Sequence, residues 1–356
     1  MKKVTFFVCD IYQMGGIEKV VTLIANELSK KYEVEIISLY QTSENPFYNL
    51  NKKIKIINIL KEQLEPIKLY YPYLNYIVRR KLKSYETDVF ICAGMGYVGL
   101  SISMRKKAKY IAWEHSQCLT GKVGGIMWLG RKLAAKHADK IVVLTKKDMK
   151  NNIAKFGTQD KICQIYNPIE NNQINSKEYN INSKKIITCG RIAHQKGFDI
   201  LVDVAEKVFD RYPNWEWHIY GDGEDRKMLV DTIKSKKLEK NLILKGTSNN
   251  LSQLYNEYAM YVMTSRHEGF PMVNIEAHNA KLPIISFDCP CGPDELIQDG
   301  VNGFIIENFN VDKMAEKIGF LIENKEIRKQ MSDSTQLDKE KLKMEKIMEK
   351  WDNILE

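Results

Sequence analysis

The feature that most constrains this chain is an alternation that runs through it twice. Short β-rich runs, VTFFVC, EVEIISLY, KIINIL, DVFICAG, KYIAWEH and KIVVLT, are interleaved with helix-like segments such as IEKVVTLIANELSKK, 67–83 and 126–138. That alternation predicts a doubly wound parallel sheet. From Asn167 to Ser183 the sequence reads NPIENNQINSKEYNINS, rich in Asn and Ser and without an apolar period, which marks a linker. The pattern then restarts: KIITCG, FDILVDVAEKVFDRY, WEWHIYG, a helix over 224–237, LILKG, LSQLYNEY, MYVMTS, a helix from Val273, LPIISF and GFIIE. The expected fold class is α/β, with two Rossmann-like halves in tandem at 1–166 and 184–337 joined by the linker 167–183. The charged stretch 338–356 reads as one helix from Asp338, with Leu342, Ile347, Trp351 and Leu355 available for packing back on the first half.

The length of 356 residues is enough for two cores, and 44% hydrophobic residues exclude a disordered chain. The seven cysteines are odd in number and scattered; only Cys289 and Cys291 are close, with neither zinc-ribbon nor thioredoxin spacing. A reducing cytoplasm is therefore expected. VTFFVC is only six residues long, too short for a signal-peptide core or a membrane span. The net charge of +9 is unevenly placed: residues 1–166 carry 28 Lys and Arg against 14 Asp and Glu, whereas 167–356 carry 26 against 31. A basic first half suits anionic lipid headgroups, nucleic acid or a phosphorylated substrate.

Glycine clusters follow several strands. GGIEKVV at 15–21 opens a helix, and Gly15 and Gly16 let backbone amides approach an anion at its N-terminus. The adjacent glycines do not fit the G-x-G-x-x-G dinucleotide fingerprint, which disfavours a dehydrogenase. In TCGRIAHQKGFDIL at 188–201, Arg191 and Lys196 lie in the loop after a strand, where a pair of cations could clamp a diphosphate or merely be solvated. YGDGEDR at 220–226 carries Asp222, Glu224 and Asp225, read as turn and helix-start acids and not as metal ligands.

HEGFPMVNIEA at 267–277 sets Glu268 and Glu276 on either side of a Gly-Phe-Pro turn. Pro271 suits the start of a helix whose amides at Met272 and Val273 face an anion. Glu276, a turn further on, could accept hydrogen bonds from a ribose diol, and Glu268 could reach a sugar hydroxyl. The acid/base pair of a glycoside hydrolase is the alternative for two carboxylates, but it explains neither the Arg/Lys loop nor the tandem halves.

HEGFPMVNIEA resembles the E-x7-E motif of the retaining GT-B glycosyltransferases of family 4 (GT4). GGIEKVV, GRIAHQKG at 190–197, YGDGEDR and CGPDELIQDGVNGFII at 291–306 fall in the order that family shows, over nearly the whole chain. The match is most similar to bacterial enzymes of capsule, exopolysaccharide or lipid-linked oligosaccharide synthesis. The resemblance implies an interdomain cleft in which Arg191 and Lys196 bind the donor diphosphate, helped by Gly15 and Gly16. It implies that Glu276 binds ribose, and that Glu268, with Gly269, Phe270, Met272 and Val273, contacts the transferred sugar. The base is then expected by Gly246, Thr247 and Ser248, and His115 within WEHSQ matches a histidine facing the sugar.

The implied reaction moves a hexosyl unit from a nucleoside diphosphate sugar to an acceptor hydroxyl with retention, with no metal, no cofactor and no nucleic acid. Uridine is the base most frequent in the family. On the acceptor side, PIKLYYPYLNYIVRRKLK at 66–83 interleaves Ile67, Tyr70, Leu74, Ile77 and Val78 with Arg79, Arg80, Lys81 and Lys83, and MRKKAK follows at 104–109. This suits either an interfacial element on anionic lipid or a helix packed on the sheet. A polyprenyl-diphosphate-linked glycan acceptor at the inner face of the cell membrane would account for both basic segments. Two other readings compete: a non-catalytic nucleotide-sugar-binding protein at a membrane surface, and an epimerase of the same fold that acts without an acceptor.

Overall fold

The computed structural model describes residues 1–170, 178–248, 251–335 and 339–356. They fall into two compact units, Met1–Pro168 with Met344–Glu356, and Ile169–Lys343. In the first unit seven strands form one sheet: β1 (Lys3–Val8), β2 (Glu33–Tyr40), β3 (Lys55–Leu60), β4 (Val89–Ala93), β5 (Lys109–Trp113), β6 (Lys140–Val143) and β7 (Ile162–Gln164). Their order is β3-β2-β1-β4-β5-β6-β7, and neighbouring strands pair in parallel. Chain order reverses between β1 and β4, the place where an open α/β sheet presents its ligand crevice. A three-residue edge strand such as β7 carries too little apolar sequence to stand out, and the alternation does not reveal it.

The second unit repeats the plan with β8 (Lys185–Cys189), β9 (Glu216–Tyr220), β10 (Leu242–Gly246), β11 (Met260–Met263), β12 (Ile284–Phe287) and β13 (Gly303–Ile306). All are parallel in the order β10-β9-β8-β11-β12-β13, with the reversal between β8 and β11. Ile186, Trp217, Ile219, Val262 and Ile285 of these strands meet helix Phe198–Arg211, which buries Leu201, Val202, Ala205, Val208 and Phe209. Each large apolar side chain so enclosed contributes about 1.5–3 kcal/mol. Alanine at Val208 would open a void in this layer.

Helix Ile67–Leu82 carries two stripes. Leu74, Val78 and Leu82 are buried in the core of the first unit, as a packed amphipathic helix requires. On another face Leu69, Tyr73 and Tyr76 are 70%, 52% and 64% exposed, at intervals of four and three residues. Arg79, Arg80, Lys81 and Lys83 are exposed at its C-terminal end, where cations also complement the helix dipole.

The stretch beyond Asp338 departs from the expected single helix. A 3-10 turn, Lys339–Leu342, is tied within the second unit by Lys339 Nζ to the carbonyl of Asn279 (2.9 Å) and Lys341 Nζ to that of Glu295 (2.9 Å). The helix proper is Met344–Leu355, in the first unit. Its Ile347, Trp351 and Leu355 are fully enclosed, and Trp351 packs edge-on against Trp113 with ring centroids 4.7 Å apart. Lys31 Nζ reaches Asp352 Oδ2 at 2.5 Å on the solvent side of the same helix.

Candidate functional site

In the second unit the loops that leave the C-terminal ends of β8, β9 and β11 are laced together. Gly190 N–H donates to the Tyr220 carbonyl (2.9 Å), Gly221 N–H to that of Gly246 (2.8 Å), and Ile192 N–H to that of Asp222 (2.9 Å). This lacing demands glycine at 221: φ is +147°, and a β-carbon would collide with the Gly190 carbonyl oxygen. The β8 loop is then fastened to the β11 loop. Arg266 N–H donates to the Gln195 carbonyl (2.8 Å), its Nη1 to that of His194 (2.8 Å), and its guanidinium grips Asp199 at 2.8 and 2.6 Å.

This fastening places Lys196 Nζ 2.6 Å from Glu268 Oε1, with side chains 19% and 5% exposed. Two residues expected to serve different parts of a donor therefore meet directly. Arg191 stands apart from them: its Nε pairs with Glu224 Oε2 at 3.0 Å on the surface, 73% exposed. Glu224 is thus an ion-pair partner, while Asp222 caps the Gly223 amide at 2.8 Å. Among the described residues no group of three His, Cys, Asp or Glu side chains converges on a metal-sized site.

Helix Met272–Asn279 begins just beyond Pro271, so the amides of Met272 and Val273 lie outside its own hydrogen-bond ladder. Phe270 and Met272 are buried. Gly269 is packed by the loop that carries Gly292, where a β-carbon would come within 2.9 Å of the Gly269 carbonyl oxygen. Cys289 in that loop is fully buried, and its thiol is pushed up by desolvation and by nearby Glu268, which keeps it protonated. Glu276 is 9% exposed and accepts a hydrogen bond from Tyr255 Oη at 3.3 Å. Asn274, in the helix's first turn, is wholly enclosed, and its amide atoms have no hydrogen-bond partner among the described residues. Gly246 ends β10 and Thr247 lies exposed beyond it.

In the first unit Gly15 is the extended N-cap of helix Gly16–Leu28. Glu18 folds back against Gly15, and burial together with Asp10 pushes its carboxyl up to about 7. Gly16 has open space where a side chain would be. His115 follows β5, its ring centroid 4.3 Å from that of Trp113. Its Nε2 is enclosed without a hydrogen-bond partner among the described residues, and desolvation lowers its pKa to about 3. The imidazole is therefore neutral near pH 7.

Two residues of the site have no motif of their own in the sequence, Arg266 and Tyr255. A guanidinium two positions before Glu268 was a visible signal for Arg266. Tyr255 gives none, since it meets Glu276 across 21 positions of sequence.

The comparisons with known proteins converge on one assignment. The family model described as "Glycosyltransferase Family 4" matches residues 14–173, and "Glycosyl transferases group 1" matches 170–338. An uncharacterized glycosyltransferase of Haemophilus influenzae is 34% identical over 363 residues, covering all of both chains. The amylovoran biosynthesis glycosyltransferase AmsD of Erwinia amylovora is 28% identical over 369 residues, again covering all of both. Among solved structures, a TarM variant of S. aureus, crystallised with fondaparinux, alpha-GlcNAc-glycerol and UDP, superposes with a TM-score of 0.83 at 18% identity over the whole of both chains. Fold, motif order and full-length similarity agree, and the chain belongs to the GT-B glycosyltransferases of family 4.

Proposed function

We propose that the protein transfers a hexosyl or N-acetylhexosaminyl unit from a UDP-sugar to a hydroxyl of a growing bacterial surface glycan, with retention of configuration. The observation that carries this reading is the Lys196–Glu268 pair, with Glu268 four and five residues before the first-turn amides of Met272 and Val273 and eight before Glu276. Lys196, Arg191 and those amides supply positive charge where a diphosphate leaving group develops its negative charge, with Gly15 and Gly16 assigned to the same group. No metal is needed in this scheme. Glu276 takes the ribose diol, the Gly246–Thr247 turn the base, and His115, as a neutral imidazole, a sugar hydroxyl. When the donor binds, Lys196 exchanges Glu268 for phosphate, and Glu268 turns its freed oxygen to the sugar. The complex of the TarM variant with UDP and the name of the AmsD relative support the donor class and the glycan acceptor.

Thermal unfolding against UDP-, GDP- and ADP-sugars tests the donor site. A donor at a hundred times its Kd stabilises by about 2.7 kcal/mol, so a UDP-sugar is expected to raise the melting temperature by several degrees. Glu276→Ala is expected to lose that rise. A panel in which no nucleotide sugar shifts the wild type would remove the donor assignment.

The acceptor is assigned as polyprenyl-diphosphate-linked, with the protein resting on the inner membrane face through its basic first unit. No described helix is long and apolar enough to cross a membrane. Leu69, Tyr73 and Tyr76, continued along the same helix by Arg80 and Lys83, suit an interfacial contact instead. At about 1 kcal/mol per cation near an anionic surface, Arg80→Ser with Lys83→Ser is expected to weaken binding to phosphatidylglycerol vesicles about thirtyfold. Equal sedimentation of wild type and variant with anionic and neutral vesicles would count against this placement.

A further inference from the structure

His115 lies in a loop joined to the sheet at its start, where Glu114 N–H donates to the Val142 carbonyl at 2.8 Å. The rest is held largely by a side chain from elsewhere. Arg131, on helix Ile126–His137, donates from Nε to Glu114 Oε2 (2.6 Å) and from Nη1 to the Thr120 carbonyl (2.5 Å). Its Nη2 donates to the Gln117 carbonyl (2.9 Å), Ser116 Oγ (3.1 Å) and Thr120 Oγ1 (3.3 Å). The other oxygen of Glu114 accepts from Ser116 N–H (3.2 Å) and Ser116 Oγ (2.5 Å). All three guanidinium nitrogens are thus committed to residues 114, 116, 117 and 120, on both sides of His115. Asp148 adds a tie from another helix, accepting Cys118 N–H at 2.7 Å.

The helix that carries Arg131 is itself fixed by backbone contact. Gly130 lies against the turn Met95–Tyr97, and a β-carbon there would collide with the Met95 carbonyl oxygen. Arg131 therefore starts from a set point, and its planar fork transmits that point to the loop. Stability alone does not explain the arrangement. The two side chains are each only 1% exposed, and such an ion pair is often no better for stability than apolar residues of the same volume. What it provides is direction, because a planar guanidinium bonded through all three nitrogens to different residues of the loop fixes angles as well as distances.

We infer that Arg131, acting with Glu114, is a positioning residue for His115: it fixes the loop that presents the imidazole to the transferred sugar. This rests on the proposed function of His115. Being enclosed, Arg131 acts through the loop, so its loss bears on turnover and leaves donor affinity in place. A misplacement of about 1 Å is enough to lower a rate by up to a hundredfold.

The test uses the full chain as wild type, Arg131→Lys, Glu114→Gln and the double variant Glu114→Leu/Arg131→Met. The probes are UDP-glucose and UDP-N-acetylglucosamine, with UDP release giving kcat and KM. The melting-temperature rise caused by UDP serves as the control for an intact donor unit, and the His115 ring resonances are followed by NMR. Arg131→Lys is expected to keep the UDP-induced rise and a KM within about twofold, to lose at least tenfold in kcat, and to displace the His115 resonances. The double variant, which also takes a donor from the Thr120 and Gln117 carbonyls, is expected to melt lower than wild type, to keep the UDP-induced rise, and to turn over as slowly as Arg131→Lys. A folded Arg131→Lys or double variant with wild-type kcat and unmoved His115 resonances overturns the inference; should neither fold, the near-isosteric Glu114→Gln decides by the same two readouts. If wild type neither binds UDP nor releases it from either sugar, the functional reading fails separately. The His115 resonances then still decide the positioning role: displaced in the variants they support it, unmoved they refute it.

Discussion

Lys196→Ala is expected to lower turnover by roughly a hundredfold or more, the loss that follows removal of one donor to a developing oxyanion. It is also expected to destabilise the protein by about 3 kcal/mol, because the buried carboxylate of Glu268 is left without its cation. Two further variants separate the effects. Lys196→Ala with Glu268→Gln removes both charges, so stability should return while turnover stays low. Arg191→Ala breaks only a surface pair and should change stability by less than about 0.5 kcal/mol. Its turnover should nonetheless fall with that of Lys196→Ala if both cations serve the diphosphate. Steady-state kinetics beside denaturant unfolding checks all three, and an Arg191→Ala enzyme with wild-type kcat would confine the charge stabilisation to Lys196.

Trp351→Ala is expected to cost about 3–5 kcal/mol, the range for deleting a large buried aromatic. Trp351 is fully enclosed and packs on Trp113, which in turn contacts His115. With two units present, unfolding need not be a single transition. The loss should appear in the transition of the first unit, as a fall of about 6–20 °C by scanning calorimetry. Trp351→Phe, which keeps a ring in place, should recover most of it. A first-unit transition that moves by less than about 2 °C in Trp351→Ala would mean that helix Met344–Leu355 contributes little to this core.

The architecture was legible because the central strands, such as β1, β4, β11 and β12, are short apolar runs, the mark of a parallel sheet buried on both faces, and the edge strands β3 and β10 keep enough Ile and Leu to continue the pattern. What escaped was short or marginal. β7 spans three residues, and the break before Met344 follows from lysines reaching the carbonyls of Asn279 and Glu295, which no local pattern encodes. The candidate site was legible as motifs but not as contacts. Glu268 and Glu276 are read from one stretch, whereas Lys196 meets Glu268 across 72 positions of sequence. Glu114 and Arg131 are 17 apart, with a loop and part of a helix between them. Such pairs depend on where the sheets place their loops, and one sequence does not encode that distance in any local period.

The first unit is discontinuous in the chain: its closing helix, Met344–Leu355, is separated from the rest by all of residues 169–343. During synthesis at about 5–20 residues per second, the seven strands are complete for on the order of ten seconds or more before Trp351 exists to cover Trp113. In that interval an apolar face beside His115 is open to solvent and to other chains on the same ribosome cluster. A messenger truncated within the second unit would therefore leave the first unit uncovered, although every residue of its sheet had been translated.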